Sequence, residues 1–305
     1  MTIEGIAALS VDRVRRYLAA WVAAHLECDE ATRDGLRARL QAVLDAATEA
    51  ELDALRAAFL DAGSGWRLFR ADPLAQRITR TYMAAAASPR DVVGADHLEQ
   101  FLAAPGRKLV VCNHLSYTDT QVTDVVLAQA GLGAAADRLV AIAGPKVYTE
   151  AWRRMASIAL NTRKTAQSNV LATEQDALTP RELAMIALET LADCGRLMDE
   201  GRVVLLYPEG RRSRDGRLQP FLRAAARYLA IEGVRVLPMA QTGGDTIFPV
   251  DAAVMRPGAA RIVFGEAFSP QDHPGKTGAV AEAHRRVAAL LPPEHRPLDG
   301  SAAVG

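Results

Sequence analysis

Apolar positions over the first 86 residues return every three or four places. Val11, Val14, Leu18, Val22 and Leu26 share one helical face, and Leu36, Leu40 and Leu44 continue the rhythm, as do Leu52, Leu55 and Phe59. The "GSG" at 63–65 ends the last of these helices. Pro73 after Asp72 starts another, with Ile78, Tyr82 and Met83 facing inwards. Residues 1–86 are therefore expected to form a small antiparallel helical bundle. A membrane-surface module is the alternative, but interfacial helices lean basic, whereas the polar faces here mix acids with bases.

Beyond "ASPRDVVGAD" (87–96), read as a boundary, the pattern changes. The β-branched runs "KLVVC" (108–112), "RLVAIA" (138–143), "RVVLLY" (202–207), "RVLPMA" (235–240) and "RIVFG" (261–265) read as strands. Helical stretches at 181–199, 219–232 and 278–291 separate several of them. The alternation predicts an α/β domain over 87–291, with a largely parallel mixed sheet flanked by helices. Such sheets bind ligands beyond the carboxyl ends of their strands. Residues 165–180 lack a clear period and are expected to be a mobile loop. Residues 292–305 are expected to be a disordered tail.

Composition narrows the function classes. Half of the 305 residues are apolar, enough for a substantial core. Lys+Arg and Asp+Glu both number 36, so nothing global points to nucleic acid, and any anion site must be local. Cys28, Cys112 and Cys194 show no paired spacing, which argues for a reducing compartment and against a disulfide framework or a zinc site. The opening "MTIEGIAALS" lacks signal-peptide character, and no stretch is apolar for the 18 or so residues a span requires. The expectation is a cytoplasmic protein, with peripheral contact at the inner face of a membrane left open.

Candidate chemistry clusters at the ends of the strands. "KLVVC" runs into "NHLSYTDT", just ahead of a helix that includes "TDVVLAQA". A tight turn there can bring Asp119 to one imidazole nitrogen of His114, fixing the tautomer and leaving the other nitrogen as a general base for a substrate hydroxyl. On spacing alone the two residues read more readily as turn or capping groups than as a catalytic pair. A second strand runs into "YPEGRRSRDG", where Arg211, Arg212 and Arg214 crowd around an exposed-backbone glycine, a cradle for phosphate or carboxylate. Glu209 beside them is placed to orient a guanidinium or accept from a hydroxyl. Lys146, Arg163 and Lys164, in "GPKVY" and "NTRKT", are further candidate anion binders. A base together with several cations suggests a substrate carrying both an alcohol and a phosphate.

These segments together resemble the glycerolipid (phospholipid/glycerol) acyltransferase family over roughly residues 105–265. "NHLSYTDT" matches its histidine–four–aspartate motif and "YPEGRRSRDGRLQPF" its Pro-Glu-Gly-x-Arg-Ser motif. "GPKVY…NTRKT" and "VLPMAQTGGD" are similar to its weaker second and fourth motifs. The resemblance implies acyl transfer from acyl-CoA or acyl-carrier protein to a hydroxyl of glycerol-3-phosphate or 1-acylglycerol-3-phosphate. His114 is then the general base and Asp119 its orienting partner. Glu209, Gly210, Arg212 and Ser213 hold the acceptor, Arg212 at its phosphate, with help from Arg163, Lys164 and Lys146. Pro238 shapes the acyl or thioester side. Direct attack requires no acyl-enzyme, metal or bound cofactor. Arg211 stands where the family usually has threonine, which puts the acceptor headgroup in doubt. A helical region before the catalytic domain is similar to the soluble, plastid-type glycerol-3-phosphate acyltransferases. Alternatives are the same chemistry on another alcohol (a glycolipid, amino-acid lipid or secondary metabolite), a catalytically silent lipid- or carrier-binding module, and a hydrolase. The missing GxSxG elbow counts against the hydrolase.

Overall fold

The computed structural model describes residues 2–166, 178–275, 277–298 and 300–305. The loop expected at 165–180 lies mostly outside the described residues.

The first helices are α1 (Ile3–Ala7), α2 (Val11–Ala23), α3 (Glu30–Asp45) and α4 (Glu49–Asp61). Ser10, Asp29 and Thr48 each cap the helix that follows by accepting from the backbone N–H three residues on, and Thr48 and Glu51 close a reciprocal capping box. The two-residue strand β1 (Leu68–Phe69) precedes α5 (Pro73–Ala86), which starts at Pro73 with Asp72 as its cap, as the sequence predicts.

Next come β2 (Ala87–Val93), α6 (Ala95–Ala103), β3 (Arg107–Cys112), α7 (Asp119–Gln129), α8 (Gly133–Arg138), β4 (Leu139–Ala143), α9 (Ala151–Ile158) and β5 (Thr162–Lys164). After the undescribed segment follow α10 (Pro180–Asp199), β6 (Val203–Leu206), α11 (Ala226–Leu229), β7 (Val234–Thr242), α12 (Gly244–Ile247), β8 (Gly258–Phe264) and α13 (Gly278–Leu290).

The strands form one sheet in the order β1-β5-β4-β6-β3-β7-β8-β2. All described pairings are parallel except β1 with β5 and β7 with β8. Every strand read from the sequence is present, and the sheet is mixed and largely parallel. The segment read as a boundary supplies β2, an edge strand paired in parallel with β8. Most of the helix expected at 219–232 is absent. Phe221 and Leu222 donate their N–H groups to Ala303 and Pro208, which holds the chain extended there, and the α-helix is confined to Ala226–Leu229.

Alternation along the central strands builds two apolar layers. Val110 and Cys112 of β3, with Val203 and Leu205 of β6, face a core shared with Leu18, Leu40, Phe59 and Tyr82 of the N-terminal helices. Leu109 and Val111, with Val204 and Leu206, face α10 and α13 on the other side. The closing segment, expected to be disordered, lies against the loop after β6: Leu218 donates to His295 O, and Phe221 exchanges backbone bonds with Ala303 and Gly305.

Candidate active site

β3 and β6 are neighbours in parallel register, from Lys108 opposite Val203 to Val111 opposite Leu206. His114 and Glu209 therefore each sit three residues beyond a matched pair, at the same end of the sheet. Their contact follows: the His114 N–H donates to Glu209 Oε1 at 2.6 Å. The His114 carbonyl accepts from the Ser213 N–H at 2.7 Å, so the backbone of the histidine is clamped on both sides by the Pro-Glu-Gly-x-Arg-Ser turn after β6. Asn113, one residue earlier, extends the pairing of β3 with β7. Its side chain donates to Gln241 O (2.9 Å) and accepts from Gln241 N–H (2.8 Å).

Asp119 is the first residue of α7, where the helix dipole favours a carboxylate. Its Oδ2 accepts from His114 Nδ1 (2.8 Å), Leu115 N–H (2.6 Å) and Ser116 N–H (2.9 Å). An ionised carboxylate only accepts, so Nδ1 carries the proton and Nε2 presents a lone pair. Nε2 makes no hydrogen bond among the described residues. The imidazole stacks on the Tyr207 ring, centroids 4.6 Å apart, and Tyr207 is itself tied through its hydroxyl to Thr120 at 3.0 Å. Asp119 Oδ1 is buried without a partner among the described residues. Gly244 packs against it: a Cβ there would come within 2.4 Å of Oδ1.

The arginine-rich turn after β6 does several jobs. Both Glu209 oxygens are committed to backbone, the second accepting from Gln219 N–H at 2.9 Å, so Glu209 joins two loops and orients no guanidinium. Burial pushes its carboxyl up to about 8, against the two N–H donors that favour the charged form. Gly210 has φ +67°, and a Cβ would meet Leu222 Cδ1 at 2.3 Å, so only glycine fits this turn. Ser213 Oγ donates to Asp215 at 2.8 Å. Arg211 and Arg214 are exposed, whereas Arg212 is half-buried with its guanidinium 3.6 Å from the centroid of the Tyr117 ring. Burial is the main cause lowering the Arg212 pKa.

Other candidates lie elsewhere. β4 and β6 separate β5 from β3, so Arg163 and Lys164 are not brought to His114. Arg163 is 1% exposed and donates from Nε to Asp193 of α10 at 2.6 Å. Lys164 Nζ donates to Gly63 O at 2.6 Å and lies over the Trp66 ring. Lys146 is exposed on the turn after β4. Pro238 is buried within β7, against Gly265. The sequence reading did not single out Asn113, Tyr117, Arg153 or Gly244. The partners of Asn113 and Gly244 are over a hundred residues away in sequence, though the quoted motifs contain Asn113, Tyr117 and Gly244. The Arg153 guanidinium also lies over Tyr117, 4.7 Å from the ring centroid.

Known proteins are similar to parts of this chain. A 1-acyl-sn-glycerol-3-phosphate acyltransferase of Chlamydomonas reinhardtii is 35% identical over 116 residues, 38% of this chain and 33% of that protein. A chloroplastic protein of that name from Brassica napus is 35% identical over 77 residues, 25% of this chain and 22% of its own. The chain thus matches a third or less of the length of these relatives. The solved 1-acyl-sn-glycerophosphate acyltransferase of Thermotoga maritima aligns over 70% of this chain and 76% of its own, at 16% identity and a TM-score of 0.46. The acyltransferase family model matches residues 90–242, a span that holds the His114–Asp119 pair, Glu209 and the arginine turn, and the chain belongs to that family.

Proposed function

We propose that this chain moves an acyl group from a thioester, acyl-CoA or acyl-carrier protein, to the free hydroxyl of 1-acylglycerol-3-phosphate, with glycerol-3-phosphate as the next acceptor to consider. The observation that carries the reading is His114, held by Asp119 through Nδ1 at 2.8 Å with Nε2 left unpaired. In the step proposed, Nε2 takes the hydroxyl proton as the acceptor oxygen forms its bond to the thioester carbon. The carbon–sulfur bond then breaks, and the thiolate leaves with the proton returned by the imidazolium, giving ester and free thiol. Asp119 stabilises the imidazolium in between. The N–H groups of Leu115 and Ser116 are committed to Asp119, so the oxyanion takes its donors from elsewhere. Arg212 supplies positive charge for the acceptor phosphate. The names of the relatives support the acceptor class.

The test is a panel of acceptors with acyl-CoA and acyl-carrier protein as donors, following thiol release. Release is expected only when an acceptor alcohol is present, and His114→Ala should lower it by roughly 10²- to 10⁴-fold. Release without acceptor would favour a hydrolase, and unchanged turnover in His114→Ala would refute the mechanism.

A further inference from the structure

One hydrogen bond fixes one atom of a ring and leaves its plane free to swing. Asp119 Oδ2 holds the His114 imidazole at Nδ1. A second contact sets the plane: the imidazole lies against the Tyr207 ring, centroids 4.6 Å apart and planes inclined by 27°. Tyr207 is the residue after β6 and stands two before Glu209, which accepts from the His114 N–H. The tyrosine is itself held at its far end. Its hydroxyl is 3.0 Å from Thr120 Oγ1, and Thr120 follows Asp119 in the first turn of α7. Consecutive residues of one helix therefore fix the imidazole, Asp119 at its edge and Thr120 through the ring beneath it. One turn on, Thr123 donates to Gln241 Oε1 at 3.3 Å, and the Gln241 backbone makes both bonds to the Asn113 side chain. Burial pushes the Tyr207 phenol well above its ordinary range, against the smaller pull of the Thr120 and Gln241 side chains. The hydroxyl keeps its proton, and the ring stays neutral.

We infer that Tyr207 is a positioning residue for the proposed acyl transfer: its ring is the platform that sets the plane of the His114 imidazole and stabilises the imidazolium, and Thr120 tethers that platform. The inference rests on the proposed reaction and deepens it. In that reaction the imidazole gains charge only when Nε2 takes the acceptor proton. An aromatic face attracts a neutral ring weakly and a cation more strongly, so the contact tightens as the charge develops. An interaction stronger in the transition state than in the ground state raises kcat without lowering KM. The Tyr207 hydroxyl, committed to Thr120, has no part in the proton transfer. Its contribution is to keep the ring from turning away.

Four variants separate ring from tether. Tyr207→Leu removes the ring, Tyr207→Phe keeps it without the hydroxyl, Thr120→Val removes the tether from the other side, and a double variant joins the last two. In steady-state turnover Tyr207→Leu should lower kcat about 10- to 100-fold, with both KM values near wild type. Tyr207→Phe should recover most of that loss and fall about 2- to 10-fold below wild type, the loss of one hydrogen bond. Thr120→Val should match it, and the double variant should fall no further, because both changes remove one contact. Proton NMR without substrates reads the same geometry. The His114 Nδ1 proton, identified by its loss in His114→Ala, should be sharp in wild type and Tyr207→Phe and broadened by exchange in Tyr207→Leu. Circular dichroism shows whether each variant is folded; if Tyr207→Leu is not, the other three still decide through the tether. Unchanged kcat or an equally sharp Nδ1 signal in folded Tyr207→Leu would overturn the inference. So would a raised KM at constant kcat, Tyr207→Phe as impaired as Tyr207→Leu, or additive losses in the double variant. An Nδ1 signal broadened only in Tyr207→Leu, alongside no acyl transfer by wild type to any acceptor, would instead refute the proposed reaction and leave the platform standing.

Discussion

Asp119 uses one carboxylate oxygen three times and leaves the other buried with none. An unpartnered buried oxygen is costly and calls for an explanation, and here the position that costs it aims the imidazole. Gly244 is the residue that lets the carboxylate sit there. Gly244→Ala is expected to push Asp119 aside and lower kcat by about 10²-fold, the cost of misplacing a catalytic group by about an ångström, with the acceptor KM little changed. Steady-state kinetics check this, and an unaltered kcat would show that the carboxylate tolerates the methyl group. Glu209 makes a separate prediction. Its carboxyl is raised from an ordinary 4.5 to about 8, chiefly by burial, so the folded chain holds a proton that the unfolded chain releases between those values. The resulting stability is fully present below about 4.5 and is lost as pH rises through about 8. Thermal unfolding from pH 6 to 9 should therefore show a falling Tm with a contribution from this group. Glu209→Gln should flatten the slope, and an identical slope in the variant would place the titration elsewhere.

At the level of elements, the site is two parallel strands ending together. Strand type and the two motifs were legible because each is local: β-branched runs for the strands, a five-residue spacing for His114 and Asp119, a proline–glutamate–glycine turn for Glu209. The parts that escaped the sequence depend on distant partners. Asn113 is explained by Gln241, and Arg163 by Asp193 on a helix whose approach to β5 no local pattern encodes. Residues 219–232 carry a helical rhythm, yet the closing segment holds Phe221 extended, so a tertiary contact overrides the local preference. Arg163 makes the contrast testable. Resemblance alone implies a substrate-binding cation, whereas its position implies a strut between β5 and α10. Arg163→Met is expected to destabilise the fold by about 1–3 kcal/mol, the loss of its hydrogen bonds to Asp193 and Lys164 O, while the acceptor KM of the folded fraction stays near wild type. Denaturant unfolding and steady-state kinetics on the same preparation separate the two roles, and a raised KM with unchanged stability would return Arg163 to the site.

For the whole molecule, the arrangement of the core decides how the N-terminal helices relate to the catalytic end. No helix among the described residues is long and apolar enough to cross a membrane. The apolar faces of α2 to α5 are buried in the core. They pack in the layer that also buries Val110, Leu205 and Met239 of the central strands, and a cavity beside Tyr117 is closed on one side by α1 and α2. A bundle with its own core could melt alone; one that shares its core with the sheet should not. Leu40, fully buried in α3, lies far along the chain from every motif. Leu40→Ala is expected to cost about 2–5 kcal/mol through lost burial and the cavity left behind. Because the core is shared, calorimetry should show one transition displaced as a whole, with helix signal, tryptophan fluorescence and acyl transfer lost at the same temperature. An early transition that removes helix content while transfer survives would mean that the bundle is an independent unit and that the catalytic end stands without it.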